Sequence, residues 1–140
     1  MEIEIIDPEP GTNINQFKTC IELVFDDEAK PAGSINVIFM GHDDLRLLKK
    51  QYFDLDVYTD VIAFNLNDPG DDIEGEIYIS FKQIQENALQ FKTDPQVELL
   101  RVLIHGCLHL CGYEDDTAKH KANMTLKEDY YLSKIESVST

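Results

Sequence analysis

The sequence predicts an α+β fold in which a small mixed sheet of four strands packs with helices. Four short segments alternate apolar and polar residues with the period of two that is typical of strands. Between and after them lie segments whose apolar residues recur at the three- to four-residue spacing of amphipathic helices. The order is strand, helix, strand, helix, two strands and then helices, which favours an α+β domain. Because the 140 residues contain no repeat, linker or low-complexity tract, we expect residues 1–140 to form a single domain.

The first half of the chain contains two of the strands and two of the helices. Glu2–Ile6 alternates as the first strand, and Asn13 can cap the first helix. The apolar stripe of that helix comprises Ile14, Phe17, Ile21, Val24 and Phe25. The second strand alternates at Ile35, Val37 and Phe39. A short second helix starts at Asp43 or Asp44, and its apolar residues are Leu45, Leu48 and Tyr52.

The third and fourth strands follow a loop over residues 53–58. The third strand is predicted at Val61–Leu66 and the fourth at Ile73–Ile79, with a turn between them. Ser80 and Gln83 have the spacing of a capping box, which predicts a helix directly after the fourth strand. The apolar stripe of this helix comprises Phe81, Ile84, Ala88 and Phe91.

Two more helices complete the chain. Asp94 and Pro95 provide a cap and a first-turn proline for a helix that is apolar almost all round from Val97 to Cys111, which predicts that it is buried. Its polar residues after the first turn form one narrow stripe, Glu98, Arg101, His105 and His109. The last helix is predicted over residues 117–133, and the tail from residue 137 is expected to fray. Its residues at helical spacing are Met124, Lys127, Tyr131 and Ile135.

A metal site is predicted on the buried helix. His105 and His109 are four residues apart, so their imidazoles lie on one face and can hold one metal ion. Gly112 suits the left-handed residue that ends a helix, after which the chain can turn back and bring Asp115 to the same ion. The histidine pair alone is also compatible with two core histidines bonded to backbone or water. Gly112 and Asp115 together favour the metal site.

The predicted ligand set is His105, His109 and Asp115, with one Zn²⁺ per chain. Two histidines and one carboxylate leave a tetrahedral zinc ion one open position, and zinc lowers the pKa of water held there towards about 7. His120 is an alternative ligand. Cys107 and Cys111 are also four residues apart, but they lie about 200° round the helix from the histidines. We interpret them as small core residues with reduced thiols.

The sequence around these ligands resembles the YbeY family of bacterial rRNA maturation endoribonucleases. Residues 105–113 match the family hallmark His-Gly-x-Leu-His-Leu-x-Gly-Tyr. Residues 59–64 are similar to the family segment Thr-Asp-Val-Leu-Ser-Phe, and residues 75–80 to its Gly-Asp-Ile strand. The resemblance runs in the same order from Leu45 to Leu132, and it implies a zincin-like arrangement with the histidine helix buried below the sheet.

The chain departs from the family pattern at two positions. The family pattern His-x3-His-x5-His has a third histidine where this chain has Asp115. The family also carries an arginine after a tyrosine, whereas Tyr52 is followed here by Phe53. Thr59 and Asp60 open a strand that can carry substrate beside the site.

The resemblance implies a zinc-dependent, single-strand-specific endoribonuclease in 16S rRNA 3′-end maturation and ribosome quality control. The implied partners are RNA and the small ribosomal subunit. Two other functions stay open, a metal-dependent hydrolase of another substrate such as peptide and a ribosome-assembly binding protein with a structural zinc. Zinc proteases of the His-Glu-x-x-His type have their general base where this chain has Gly106, which argues against a peptidase. The general base stays open among Glu114, Asp116 and His120.

The net charge of −15 argues against tight binding of free RNA, because RNA-binding surfaces are expected to be basic. Two basic groups, residues 46–50 and residues 119–121, are interpreted as solvated helix faces. No apolar run approaches the roughly 20 residues of a membrane span, and the N-terminus lacks a signal-peptide pattern. We therefore expect a cytoplasmic protein without a membrane or DNA partner.

Overall fold

The computed structural model describes residues 1–138 and confirms the α+β fold with a mixed four-stranded sheet. Within these residues there are four strands and five helices. In chain order the elements are β1 (Glu2–Ile6), α1 (Ile14–Asp27), β2 (Ala32–Phe39), α2 (His42–Phe53), β3 (Val61–Asn65), β4 (Ile73–Ile79), α3 (Phe81–Phe91), α4 (Pro95–Leu110) and α5 (Ala118–Val138). No helix in this part of the chain is both long and apolar enough to cross a membrane.

The sheet has the strand order β1-β2-β4-β3. β1 and β4 each pair with β2 in parallel, with Ile3 opposite Ile35 and Val37 opposite Ile77. β3 pairs with β4 antiparallel, with Ala63 opposite Ile77. The hairpin from β3 to β4 therefore makes the sheet mixed, and β3 lies at an edge with one side unpaired by any other strand among residues 1–138.

α4 lies at the centre of the packing. It contacts α1, α3, α5, β3 and β4, and its apolar residues form much of the core. Gly106 of α4 faces Ile77 of β4 so closely that a Cβ built on it would lie 2.9 Å from Cγ2 of that isoleucine. The helix is therefore buried as predicted, and its approach to the sheet depends on a residue without a side chain.

The start of α3 differs from the predicted capping box. Ser80 Oγ accepts a hydrogen bond from the backbone N–H of Gln83 at 3.3 Å, which is the expected half of the box. The side chain of Gln83 instead donates to Asn87 at 2.9 Å, and the backbone N–H of Ser80 donates to the carbonyl of Asp60 at 3.0 Å. The cap thus connects α3 to the loop before β3.

Three predicted boundaries shift. α2 begins at His42, with Gly41 as its N-cap, one or two residues before the predicted start. β3 ends at Asn65, one residue earlier than predicted. α5 continues to Val138, well past residue 133, because Tyr131 and Ile135 are buried against the core. The predicted frayed tail is therefore helical up to Val138, and residues 139–140 lie outside the described residues.

Candidate metal centre

The C-terminus of α4 ends in a Schellman motif that turns the chain towards the histidines. Gly112 has a φ of +104°, a conformation that L side chains rarely adopt. Its N–H donates to the carbonyl of His109 at 3.0 Å, and the N–H of Tyr113 donates to the carbonyl of Leu108 at 3.0 Å. The chain reverses at the predicted glycine, and Asp115 comes back to the face of α4 that carries the histidines.

The structure brings the three predicted ligands together. His105 Nε2 lies 3.0 Å from His109 Nε2, and Asp115 Oδ2 lies 3.3 Å from the first nitrogen and 3.6 Å from the second. In a regular tetrahedron the edge is about 1.63 times the bond, so zinc bonds of about 2.0–2.1 Å require edges of about 3.3–3.4 Å. The observed distances bracket that value, and the three atoms can hold one metal ion.

The other nitrogen of each imidazole is engaged by the protein. His109 Nδ1 lies 2.9 Å from the carbonyl of Tyr113, and because a carbonyl only accepts, this nitrogen carries the proton. His105 Nδ1 lies 2.7 Å from Oε2 of Glu128 and donates to that carboxylate. Neutral imidazoles protonated at Nδ1 have a lone pair at Nε2. Two such lone pairs 3.0 Å apart repel each other unless a proton or a metal ion lies between them, so this arrangement fits a cation.

Glu128 is the residue of the site that the sequence analysis missed. It lies on α5, with 9% of its side chain exposed, and its Oε1 also accepts from Arg101 at 3.1 Å. The spacing of Arg101 and His105 on α4 predicted a polar stripe, but no local pattern shows which residue of a distant helix faces that stripe. The partner on α5 appears only once the helices pack.

The surroundings of His105 raise its pKa. Burial by itself lowers that pKa, but the hydrogen bond and the charge of Glu128 outweigh it, and Asp115 and Asp60 add smaller contributions in the same direction. Without a metal ion His105 therefore holds a proton more readily than an ordinary histidine. Protons and metal compete for the same nitrogen, so metal affinity is expected to fall at acid pH.

The alternative ligands are directed elsewhere. His120 lies in the first turn of α5, where its Nδ1 is 2.6 Å from Oδ1 of Asp116. Among the described residues, the only group of three or more metal-binding side chains is His105, His109 and Asp115. Cys107 and Cys111 are buried free cysteines, as expected for core residues. Burial raises the pKa of Cys107 well above its usual value and that of Cys111 to about 12.

A cleft of about 460 Å³ opens beside the three converging side chains. This volume lies within the roughly 300–1,000 Å³ of pockets that bind small ligands. The cleft is lined by Lys49, Phe53, Thr59, Asp60, Val61, Ile62, Ala63, Asn65, His105, His109, Glu114 and Asp115. Thr59 and Asp60 therefore do lie beside the site. Burial raises the pKa of Asp60 despite the lowering effect of His105.

One wall of the cleft is the free edge of β3. The N–H of Ser80 donates to the carbonyl of Asp60, and the N–H of Leu66 donates to the carbonyl of Glu74, so the even-numbered residues of β3 form the hydrogen-bonded pairs with β4. The odd-numbered residues, among them Val61 and Ala63, consequently direct their N–H and C=O groups away from the sheet. Both line the cleft. The N–H of Val61 is engaged by the carboxylate of Asp60, and its C=O accepts from the Thr59 hydroxyl at 3.4 Å. Ala63 therefore offers a backbone donor and acceptor to a bound molecule.

The loop that carries Asp115 is anchored from its other side by Glu28 at the end of α1. Tyr113 Oη donates to Glu28 at 2.6 Å, Lys127 Nζ lies 3.0 Å from the same carboxylate, and Tyr131 Oη also donates to it. Burial raises the pKa of Glu28, but these three donors outweigh it and lower the pKa overall. The end of α1, α5 and the loop after α4 thus meet at the carboxylate of Glu28. Its contact with the loop is made by Tyr113, two residues before Asp115.

Comparison with known proteins agrees with this architecture. The family model for Endoribonuclease YbeY matches residues 4–136. The Endoribonuclease YbeY of Chlorobaculum tepidum is 41% identical over 115 residues, which cover 82% of this chain and 83% of that relative. The Endoribonuclease YbeY of Flavobacterium psychrophilum is 45% identical over 105 residues, which cover 75% and 74% respectively.

A solved structure has the same fold. The solution structure of TM1509 from Thermotoga maritima is similar to this chain with a TM-score of 0.69 and 32% sequence identity. The similarity covers 95% of this chain and 88% of that one. Together with the match over residues 4–136, these relatives show that the chain belongs to the Endoribonuclease YbeY family.

Proposed function

We propose that this chain is a zinc-dependent endoribonuclease acting on single-stranded RNA, with His105, His109 and Asp115 as the metal ligands. One observation carries the proposal. In a chain of an endoribonuclease family, two imidazole lone pairs and one carboxylate oxygen converge at 3.0–3.6 Å beside an open cleft. We also propose that residues 1–140 act as one domain.

Different residues orient the metal ligands and accept protons at this site. Glu128 and the carbonyl of Tyr113 hold the two imidazoles in the tautomer that presents Nε2. His105, His109 and Asp115 would hold a zinc ion, which would supply a Lewis acid for a phosphoryl oxygen and would lower the pKa of water bound to it towards about 7. Asp60 and Glu114 line the same cleft and are the carboxylates placed to accept a proton.

The free edge of β3 supports an extended substrate. The outward N–H group of Ala63 is a neutral donor that can donate a hydrogen bond to a phosphate or base oxygen of a strand lying along the edge. A cleft of about 460 Å³ favours a single strand, because splayed nucleotides enter such a space more easily than a duplex. We therefore propose that single-stranded rather than double-stranded RNA is cut.

The finer biological role belongs to the same proposal. We infer from the family resemblance that the substrate is the 3′ end of 16S rRNA on the small ribosomal subunit, in the cytoplasm and in ribosome quality control. The net charge of −15 supports recruitment through the ribosome, because a protein this acidic gains little from phosphate attraction to free RNA.

Neither rival function is favoured by the geometry. A closed structural zinc site needs a fourth protein ligand, but His120 pairs with Asp116 and the described ligand group has three members. A peptidase base at position 106 is disfavoured because Gly106 faces Ile77 in the core, where an added Cβ is already too close. A glutamate there would point into the core and away from the cleft.

The proposal is tested by incubating the purified, metal-analysed protein with single-stranded RNA, duplex RNA and an unfolded peptide. We expect cleavage of the single-stranded RNA alone. The activity should be lost in His109→Ala and with a chelator, should return when zinc is added to the unmodified protein, and should persist in His120→Ala. Intact RNA after incubation with metal-loaded protein, or cleavage of the peptide, would overturn the proposal.

A further inference from the structure

Lys49 and Phe53 form the wall of the cleft contributed by α2. They are one helical turn apart, and both line the cleft that contains His105, His109 and Asp115. Lys49 Nζ lies 4.7 Å from the centroid of the Phe53 ring, within the range of a cation–π contact. The ammonium is therefore held at the cleft by a ring rather than by a carboxylate.

The charge balance of the cleft gives Lys49 a distinctive position. It is the only lysine or arginine among the lining residues, which include the carboxylates of Asp60, Glu114 and Asp115. Arg46, one turn earlier on α2, is already engaged by Asp56 at 2.7 Å. Among the side chains of residues 1–135, which the structure describes, no ion pair involves Lys49. Its ammonium thus keeps its donors for a ligand.

Phe53 is itself held in place by a cluster of rings. It stacks on Phe64 of β3 with centroids 5.8 Å apart and planes inclined by 18°. Phe64 also contacts the rings of Tyr52 and Tyr78, at 5.3 Å and 5.9 Å. The ring of Phe53 is therefore packed on Phe64, and with 45% of the residue exposed it remains accessible to the side chain of Lys49.

We propose that Lys49 binds a backbone phosphate of the RNA strand in this cleft and that Phe53 positions its ammonium for that contact. The inference rests on the proposed function, since it names how that substrate is held next to the three ligands. A phosphodiester carries one negative charge, and the carboxylates of the cleft repel it. Lys49 is the lining side chain that attracts it without the metal ion.

The test compares Lys49→Gln with Lys50→Gln in the metal-loaded protein. Lys50 is the adjacent exposed lysine and does not line the cleft, so it controls for the loss of one charge. Each phosphate contact to a single strand contributes about −0.7 to the slope of log affinity against log salt. We expect Lys49→Gln to raise KM for a single-stranded oligoribonucleotide about tenfold, with a smaller effect on kcat, and to make the slope shallower by about 0.7. Lys50→Gln should change KM by less than twofold and should leave the salt slope nearly unchanged. Lys49→Arg, which keeps the positive charge, should retain most of the affinity.

Phe53→Leu tests the positioning role, with Phe91→Leu as its control because Phe91 is 65% exposed on α3 away from the cleft. Phe53→Leu keeps the lysine and so keeps the salt slope, but it should weaken binding about two- to fivefold through the lost cation–π contact. In a Lys49→Gln background the same change should have no further effect on binding. An equal loss in both backgrounds would overturn the positioning role.

Binding of a fluorescent oligoribonucleotide separates this inference from the proposed function. If the unmodified protein binds but does not cut, the proposed function fails while the Lys49 contact is still measured by the salt slope. If the protein cuts RNA and Lys49→Gln leaves KM and slope as in Lys50→Gln, the inference fails while the function stands. A loss of zinc from Lys49→Gln, or no binding by any form, would also overturn the inference.

Discussion

His105 Nδ1 lies 2.7 Å from Oε2 of Glu128, a contact that joins α4 to α5. The other oxygen of the same carboxylate accepts from Arg101 at 3.1 Å, so Arg101 holds Glu128 while Glu128 holds His105. This second contact restrains Glu128 in the orientation that keeps the proton of His105 on Nδ1 and the lone pair of Nε2 directed towards Asp115. The geometry of the candidate metal centre therefore depends on a residue that binds no metal itself.

Glu128→Gln is expected to lower zinc affinity about 10- to 100-fold, the usual cost of losing the partner that orients a ligating histidine. Competition with a chromogenic chelator measures the change. Asp129→Asn is the matched control, because Asp129 contacts Arg101 at 2.7 Å and its side chain is 56% exposed. Equal zinc affinities in the two variants would show that Glu128 does not act through His105.

His105→Ala and His109→Ala are each expected to lose the metal ion, because two remaining ligands do not complete a zinc site. Elemental analysis of protein prepared without chelator should give close to one zinc per unmodified chain and little in either variant. His120→Ala should keep its zinc, since this histidine pairs with Asp116. Unmodified protein without metal, or an empty site in His120→Ala, would contradict the ligand set.

Asp115 is one of the two positions where the chain departs from the family pattern, and we expect its replacement to change metal affinity and the pH–rate profile. Asp115→Ala should lose most of the metal affinity. Asp115→His should keep the metal and move the pH–rate profile to lower pH, because a neutral imidazole offsets less of the ion's charge than a carboxylate and bound water becomes more acidic. Metal titration and the pH dependence of RNA cleavage check the two outcomes. A profile that moves to higher pH would show that the charge of Asp115 is not what sets it.

Glu28→Gln is expected to destabilise the fold in a pH-dependent way. The pKa of Glu28 is lowered in the folded protein, because the donors Tyr113, Tyr131 and Lys127 outweigh the effect of burial. Such a carboxylate stabilises the fold above its unfolded pKa of about 4.3, and that stability is lost as the pH falls through the folded pKa. The free energy of unfolding at pH 7 should therefore be about 1–3 kcal/mol higher for the unmodified protein than for Glu28→Gln, the typical cost of disturbing hydrogen bonds to a charged group. Denaturant unfolding across the acid range should show this difference shrinking below about pH 4, and a constant difference would contradict the assignment.

Gly106→Ala is expected to be destabilising although alanine is the better helix former. Alanine gains up to about 1 kcal/mol over glycine inside a helix, but overpacking a core costs about 1–3 kcal/mol. The new Cβ would lie 2.9 Å from Cγ2 of Ile77, a branched side chain with little room to move. The free energy of unfolding should fall by about 1–2 kcal/mol in denaturant titrations. Gly33→Ala, whose Cβ would meet only a carbonyl 4.0 Å away, is the comparison for the loss of a glycine. A higher free energy of unfolding in Gly106→Ala would mean that α4 can move away from the sheet.

Local patterns predicted the elements and the three converging side chains, because each pattern involves residues close in sequence. The spacing of His105 and His109 places both imidazoles on one face of α4 whatever the helix packs against. Asn13 and Asp94 cap α1 and α4 as predicted, since a cap needs only the N–H groups of the next turn. Gly112 reverses the chain because its backbone conformation is open to glycine.

Only the tertiary structure decided which distant residues meet those side chains. Glu128 reaches His105 across 23 positions, and Glu28 reaches Tyr113 across 85. Lys49, which the sequence suggested lies on a solvated face, lines the cleft because α2 lies beside the edge strand β3. Hydrophobic burial brings these elements together, and it is non-directional, so no short stretch of sequence encodes which polar residues become neighbours. The sequence by itself thus determined the three candidate ligands on and after α4, while the packing of α1, α2 and α5 around α4 and the sheet determined the residues that orient those side chains and line the cleft.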